Sequence, residues 1–306
     1  MRRYLAKKLL SILPVVIGIV LLTFFMIYML PGDPAEIIAG QAATPETIAK
    51  IRGELGLDQP IYIQLFRYVL GIFQGNFGNS IYAGVPVMQL ILPRFLNTIE
   101  LSVASMIIAV GVGVIGGIVA AVKRGSVLDT ASMGIAVLGV SMPSFFTGLA
   151  LMYIFSLQLR WFPTIGYNGL ASLVLPSVTL AAWSWATIAR MTRTSMLEVL
   201  NLDYVRTARA MGLKERIVIY KYALRNALIP IVTAIGLQFG YAMAGAVITE
   251  TVFSWPGIGS LIVEAIFNRD FAILRAAILL IALTFVLVNL ATDIICYFIN
   301  PRLKHA

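Results

Sequence analysis

LSVASMIIAVGVGVIGGIVAAV, residues 101–122, is a run of 22 residues without a charge. A bilayer core about 30 Å thick is crossed by roughly 20 apolar residues in an α-helix, so this run predicts a transmembrane helix. Composition agrees, since 59% of the 306 residues are hydrophobic and 12% are charged. The predicted spans are Leu9–Leu30, Thr98–Val122, Ser132–Leu157, Ser172–Met191, Ala227–Phe253 and Ile273–Ile299.

Long apolar runs are typical of membrane helices, whereas barrel strands alternate in segments of about ten residues. The predicted fold class is therefore all-α, a polytopic membrane protein of about six transmembrane helices. The fourth run is the weakest, because Pro176, Trp183, Ser184 and Trp185 interrupt it. The first run follows basic residues, as a signal peptide does. It is too long for one, and no small-residue cleavage site follows, so it predicts an uncleaved span.

The distribution of Lys and Arg predicts the orientation of the chain. With the N-terminus inside, 16 of the 23 basic residues fall on the inner face and the other 7 on the outer face. Because cytoplasmic loops carry the excess of positive charge, both termini are predicted to be cytoplasmic. This bias also accounts for the net charge of +9, so nucleic-acid binding is not needed to explain it.

The chain is poor in residues that carry chemistry. Cys296 is the one cysteine and His305 the one histidine, which excludes an internal disulfide and makes no metal cage. No Gly is followed by Lys, so no phosphate-binding loop of the P-loop type exists. An intramembrane enzyme would need a Ser–His pair, an aspartyl pair or metal ligands. We therefore predict no catalytic residue, no metal site and no cofactor bound by this chain.

Three regions follow from the spans. Residues 1–30 form the N-terminal cytoplasmic end and first span, 31–97 an extracytoplasmic helical cap, and 98–306 a core of five spans with a cytoplasmic loop at 192–226. In the cap, Thr44 and Pro45 predict the start of one helix, and Asp58 is the predicted N-cap of a second. The cap is expected to lie on the membrane surface or over the outer mouth.

Small residues recur four apart in two spans, which produces a smooth helix face. Such a face serves close helix packing or lines a moving pathway, and the pattern leaves both open. In the third span, Pro143 predicts a bend, which is either a gate hinge or only a shape. The stripes are Ala109, Gly113, Gly117 and Ala121 in span two, and Gly236, Gly240 and Ala244 in span five.

Glu250 and Asp293 lie within predicted spans, where ionisable residues are often functional. Glu250 could meet the amino group or metal cation of a cargo, or could be interfacial and solvated, or paired to arginine. The candidate pathway or gate residues are Pro143, Gly240 and Glu250.

DYVRTARAMGLKERIVIYKYALRNALIP, residues 203–230, interrupts the apolar sequence. Eight cations lie between Arg190 and Arg225, and burying them in mid-bilayer would cost roughly 20–28 kcal/mol. The pattern predicts a short exposed helix, a turn at Gly212, and a helix leading into span five. Charge alone leaves two partners open, the anionic inner leaflet and a cytoplasmic protein with a groove for a short helix.

This stretch resembles the coupling loop of permease subunits in binding-protein-dependent ABC importers. That family's pattern is Glu-Ala-Ala, three residues, Gly, nine residues, Ile, one residue and Leu-Pro. Ala208, Gly212 and Leu224 keep this pattern, and Arg206, Thr207, Tyr222 and Arg225 depart from it. Departures from it resemble the dipeptide, oligopeptide and nickel branch, in its B-type subunit. Motifs similar to that branch occur along the chain: LPGDPA at 30–35, LGLDQP at 55–60, WPGIG at 255–259, FNRD at 267–270 and NPR at 300–302.

The resemblance implies a permease of a bacterial or archaeal inner membrane. Its expected partners are a second homologous permease subunit, two ATPase subunits that hold ATP and Mg, and an extracytoplasmic solute-binding protein. The expected cargo is a di- or oligopeptide, with glutathione or a nickel chelate as alternatives and an ion-channel subunit as the rival of another class. Ala208 would allow close approach of the ATPase and Gly212 would make the turn. The implied coupling residues are Asp203, Tyr204, Arg206, Thr207, Ala208, Arg209, Ala210, Gly212 and Leu213.

Overall fold

A computed structural model of the chain describes residues 2–29, 33–40, 43–54 and 56–299, and in these ranges the regular structure is helical. Residues 30–32 and the final Asn-Pro-Arg motif at 300–302 lie outside the described residues. The helices are α1 (Arg2–Phe25), α2 (Pro34–Ala39), α3 (Pro45–Glu54), α4 (Ile61–Gln74), α5 (Val87–Val122), α6 (Val127–Ser141), α7 (Ser144–Leu151), α8 (Leu170–Leu200), α9 (Asp203–Ala210), α10 (Glu215–Ile217), α11 (Arg225–Phe253), α12 (Ile258–Phe267) and α13 (Phe271–Ile299).

Within the described residues, five helical segments are long and apolar enough to cross a membrane, and the pair α6 and α7 makes a sixth span if its two bent halves count as one. The predicted all-α fold with about six spans is therefore confirmed. The side of the membrane on which each terminus lies stays a prediction. The five segments contain α1, α5, α8, α11 and α13.

The third span breaks at Pro143. Helix α6 ends at Ser141, and Met142 is extended, with φ −92° and ψ 128°. Proline disfavours a helical conformation in the residue before it and lacks the N–H that would continue the helix. The helix axis bends by 106° between α6 and α7. The predicted bend is therefore confirmed, and it is a full break of the helix. Helix α7 continues as a π-helical turn over Met152–Gln158.

The fourth span, the weakest by hydropathy, is the most enclosed. In α8, 61% of the apolar stretch is buried, against 17–44% in the other four long segments. Its polar side chains therefore face protein, and the Thr179 hydroxyl donates to the Leu175 carbonyl oxygen of its own helix at 2.8 Å. The buried hydroxyl residues of α8 are Ser172, Ser177, Thr179, Ser184, Thr192 and Ser195.

The chain divides into two compact units, each described by itself. Unit one holds residues 1–98 and 256–286, and unit two holds 99–255 and 287–306. In unit one, an apolar core joins the end of α1 to α5, α12 and the start of α13. Its buried members include Ile27, Val87, Ile91, Ile258, Leu261 and Phe271.

Two short helices of unit one test the predicted caps. Helix α3 begins at Pro45, and the Thr44 hydroxyl oxygen accepts from the N–H of Thr47 at 3.3 Å, as predicted. Helix α4 begins at Ile61, directly after Pro60, whose side chain makes no capping hydrogen bond. The predicted N-cap at Asp58 is therefore wrong, because the chain turns at residues 56–58 before the helix starts.

In unit two, glycines bring helix backbones together. A Cβ atom on Gly113 would lie 2.8 Å from the Trp185 carbonyl oxygen, and one on Gly117 would lie 2.6 Å from that of Ala189. Both partners belong to α8, so α5 rests against its backbone. At Gly236 of α11 the close neighbour is a side chain of α13, since an added Cβ would meet the Thr292 Cγ2 at 2.6 Å. The packing interpretation of both stripes is thus supported.

Substituting Gly117 tests this contact. We expect Gly117→Ala to destabilise the protein by about 1–3 kcal/mol, since the new methyl group would overlap main-chain and side-chain atoms of α8. Gly116→Ala is the matched control, because a Cβ there meets nothing within 4 Å. The measurement is the thermal unfolding midpoint of the detergent-purified chain. Equal midpoints for the two variants would contradict this packing.

Candidate functional site

The basic stretch of the sequence folds as a short helix closed by a glycine turn. Leu202 is extended, with φ −75° and ψ 147°, and α9 follows over Asp203–Ala210. Gly212 has φ +74°, and its N–H donates to the Arg209 carbonyl oxygen at 2.9 Å. The N–H of Leu213 donates to the Ala208 carbonyl oxygen at 3.4 Å. These two bonds form a Schellman motif, which requires a left-handed residue where Gly212 stands. The predicted helix and turn are confirmed.

The inner face of α9 holds the helix to unit two. Val205 and Ala208, three residues apart, are fully buried. They pack in one cluster with residues of α8 and of the segment leading into α11, namely Met196, Val199, Val218, Ile219, Ala223 and Ala227. The close approach expected at Ala208 therefore occurs within this chain. Its side chain contributes to a docking surface only by holding the helix in place.

Beside its buried face, α9 carries an exposed outer stripe. Tyr204, Thr207 and Met211 follow one another at spacings of three and four, so they line one side of the helix. Tyr204 is 40% exposed and Met211 65%. An apolar stripe of this kind on a short helix is the feature that grooves recognise. Of the predicted coupling residues, Asp203, Tyr204, Arg206, Thr207, Arg209, Ala210 and Gly212 are exposed, Leu213 is half-buried and Ala208 is buried.

Charge pairs stiffen the turn. The Arg209 guanidinium donates to both carboxylate oxygens of Glu215, at 2.8 and 3.3 Å, across the Gly212 turn. These bonds raise the pKa of Arg209. Arg206 lies 3.6 Å from the Asp203 carboxylate, one turn back on the helix. Exposed pairs of this kind contribute at most about 1 kcal/mol each, so their main effect is to compensate the positive charge of α9.

The segment after α9 joins the surface to a span. Helix α10 passes into a π-helical turn over Val218–Leu224, which the sequence pattern does not distinguish from an α-helix. Val218, Ile219 and Ala223 of this turn are buried in the cluster under α9. Helix α11 continues from this turn without a break, so α9 packs against the segment from which a span begins.

Helix α8 extends nine residues past the predicted end of span four at Met191, and this changes the assignment of one cation. Arg193 belongs to the span helix and not to the loop predicted at 192–226. Arg193 donates to both carboxylate oxygens of Asp129, at 2.7 and 2.8 Å. Asp129 is buried at the start of α6. The pair ties α6 to α8, and no signal in the sequence links two charges 64 residues apart.

The candidate gate residues lie on different elements. Pro143 precedes α7, and Gly240 and Glu250 are both buried in α11, ten residues or about 15 Å apart. Glu250 is fully buried, which argues against the solvated alternative for it. Contact of Glu250 with cargo stays a prediction, as does gating at Pro143 and Gly240.

Comparison with known proteins places this geometry among transporters. The family described as "Binding-protein-dependent transport system inner membrane component" matches residues 113–305, and the family of its N-terminal region matches residues 1–102. The "Glutathione transport system permease protein GsiC" of Salmonella paratyphi A and that of Escherichia coli K12 are each 44% identical over 305 residues, covering 100% of both chains.

Solved structures agree on the fold. A chain of the MetNI methionine ABC transporter in an inward-facing conformation superimposes with a TM-score of 0.60 at 19% identity, covering 70% of this chain and 97% of that one. A chain of an amino acid ABC transporter gives 0.51 at 16% identity, covering 70% and 94%. At these identities the likeness concerns the fold alone.

Gly212 offers a test of the turn. We expect Gly212→Ala to raise local hydrogen exchange of α9 amides, because a left-handed residue with a Cβ costs about 1–2 kcal/mol. Nothing lies within 4 Å of the added carbon, so the effect is conformational rather than steric. Gly212→Asn should exchange less than Gly212→Ala, since asparagine tolerates this conformation. Identical exchange in all three proteins would contradict the assigned turn.

Proposed function

The chain belongs to the family of binding-protein-dependent transport system inner membrane components, and we propose that it passes small peptides of the size of glutathione through the inner membrane. It is a multi-pass permease subunit of an ABC importer, and a translocation component rather than an enzyme. Importers of this family work with ATPase subunits and a solute-binding protein. The proposal concerns the cargo, the docking surface and the composition of the complex.

The cargo proposal rests on one observation, the 44% identity to glutathione permeases along the complete length of both chains. Glutathione is a tripeptide with two carboxylates and one ammonium group. A pathway that passes it is open to a small, polar, flexible peptide. This favours the glutathione alternative and keeps dipeptides and short oligopeptides in the same class. Selection among them is assigned to the solute-binding protein, which delivers the cargo.

The coupling proposal rests on the two faces of α9. Its inner face is buried in unit two at Val205 and Ala208, while its outer stripe of Tyr204, Thr207 and Met211 is open. We place that stripe in a groove of an ATPase subunit. ATP and Mg then reside on the ATPase subunits, because this chain has no P-loop. Two ATPases need two such helices, which calls for a second, homologous permease.

Charge favours a protein partner over the inner leaflet. A basic residue near an anionic surface contributes about 1 kcal/mol of attraction. The two arginines of α9 face Asp203 and Glu215, at 3.6 and 2.8 Å, so their attraction to anionic lipid is largely offset. Helix α9 itself carries a net charge of +1, and a short helix whose arginines are paired within the chain but whose stripe is open is better suited to a groove.

Thr207→Tyr tests the docking stripe. It adds bulk without charge at the centre of the stripe, and we expect retention of the ATPase subunit on the purified chain to fall about tenfold. Thr130→Tyr is the control. Both threonines are exposed on helices, and both hydroxyls donate to the carbonyl oxygen four residues earlier. Retention is measured by mass spectrometry of the affinity-purified complex. Equal retention in both variants would place docking elsewhere.

Cargo is tested by uptake into proteoliposomes that contain the co-purified complex and its solute-binding protein. We expect ATP-dependent accumulation of radiolabelled glutathione, with competition by a dipeptide and a pentapeptide measured in parallel. Accumulation of a nickel–histidine complex alone would overturn the cargo proposal. An ion current without ATP would overturn the importer itself.

The mass of the complex tests the second permease, and a form that contains only this chain would count against it.

A further inference from the structure

Unit one contains a cavity of about 450 Å³ that the importer function does not use. It lies between the end of α1, helix α4 and the first turn of α13. One side is aromatic and aliphatic, and the other carries two arginines. The residues that decide its chemistry are Phe24, Tyr28, Gln64, Arg67, Tyr68 and Arg275.

Arg275 is the unusual member of this set. It stands in a helix apolar enough to span a membrane, and its Nε is buried without a hydrogen-bond partner. Its guanidinium carbon lies 5.3 Å from the centre of the Tyr68 ring, a cation–π contact that supplies no acceptor. Among the described residues that line the cavity, none is a carboxylate. A buried cation is costly unless an anion or acceptor reaches it.

The polar neighbours of Arg275 are committed to one another. Tyr28 donates its hydroxyl hydrogen to the Gln64 side-chain oxygen, and the Gln64 amide nitrogen donates to the Gln59 carbonyl at 2.8 Å. Tyr68 donates to the hydroxyl of Thr23 at 3.0 Å. These bonds fix the cavity wall and join α4 to the end of α1. They leave the buried Nε of Arg275 without an acceptor in the wall.

A second cation borders the same space. Arg67, one residue before Tyr68 on α4, lines the cavity, and its Nη1 lies over the Gly56 turn. Its side chain is exposed, so it can move toward a ligand from the open side. Two guanidinium groups around one cavity present the fork geometry that suits the oxygens of a phosphate.

The apolar surroundings indicate what carries that phosphate. Helix α4 presents an outward stripe at Tyr62, Phe66, Leu70 and Phe73, which are 44–85% exposed. Leu70 also lines the cavity, so the stripe begins where the cavity opens. An amphipathic helix with such a face lies in the membrane interface. It is bonded to the end of a span, where lipid headgroups are found.

We propose that this cavity binds the headgroup of an anionic phospholipid. Arg275 and Arg67 would hold the phosphate, and the acyl chains would run along the outward stripe of α4. A net-anionic headgroup is favoured over a zwitterionic one, because the described lining offers no carboxylate for an ammonium group. The site is independent of the cargo, so it stands or falls separately from the proposed function.

Native mass spectrometry of the full chain, stripped of lipid in detergent, tests this site. The probes are dioleoyl phosphatidylglycerol and dioleoyl phosphatidylcholine, which share their acyl chains. We expect the wild-type chain to bind phosphatidylglycerol about tenfold more tightly than phosphatidylcholine. Arg275→Gln should abolish that preference, and Arg67→Gln should reduce it about threefold.

Three controls keep the test decisive. Arg269→Asn removes one exposed cation from the same unit, at a left-handed position that asparagine accepts, and should leave the preference unchanged. Arg275→Lys keeps the charge and should retain part of the preference if Arg275→Gln folds poorly. Inorganic phosphate and glutathione are added as competitors. Displacement of the lipid by either at equal concentration, or an unchanged preference in Arg275→Gln, would overturn the proposal.

Discussion

Helix backbones in unit two come into direct contact where glycine leaves room for them, and the arrangement of the spans depends on this contact. Between helices in lipid there is little hydrophobic force, because the solvent is as apolar as the side chains. Close packing must supply the attraction instead. Helix α5 therefore meets the backbone of α8 at Gly113 and Gly117, and Gly236 of α11 makes room for the Thr292 side chain of α13. The serines and threonines of α8 can be buried here because protein and not lipid surrounds them.

Helix α9 is an extension of this packed unit. Val205 and Ala208 attach α9 to the end of α8 and to the turn that leads into α11. A displacement applied to α9 would thus reach two spans through buried apolar contacts, without passing through a flexible loop. The Schellman turn at Gly212 and the Arg209–Glu215 pair limit the freedom of the helix further. These contacts are a physical path by which the motion of a partner docked on α9, as proposed, would enter the membrane.

Charges inside the spans are handled in two ways. Asp129 and Arg193 satisfy each other with two short hydrogen bonds, which neutralises a charge at the end of α8 and ties it to α6. Arg275 has no such partner among the described residues, only the face of Tyr68. A cation left in this state inside a membrane protein points to an anion supplied from outside the chain. The first arrangement is structural, and the second is the basis for the proposed lipid site.

The sequence by itself determined the class of fold, the number of spans, the break at Pro143 and the helix–turn at 203–212. These features depend on local apolar length and on the backbone limits of proline and glycine, which act over a few residues. The burial of Ala208 and Glu250 and the pairing of Asp129 with Arg193 were decided only by the tertiary structure. Each depends on which distant segments come together, and a hydropathy pattern records how apolar a residue's surroundings are without recording which residues provide them.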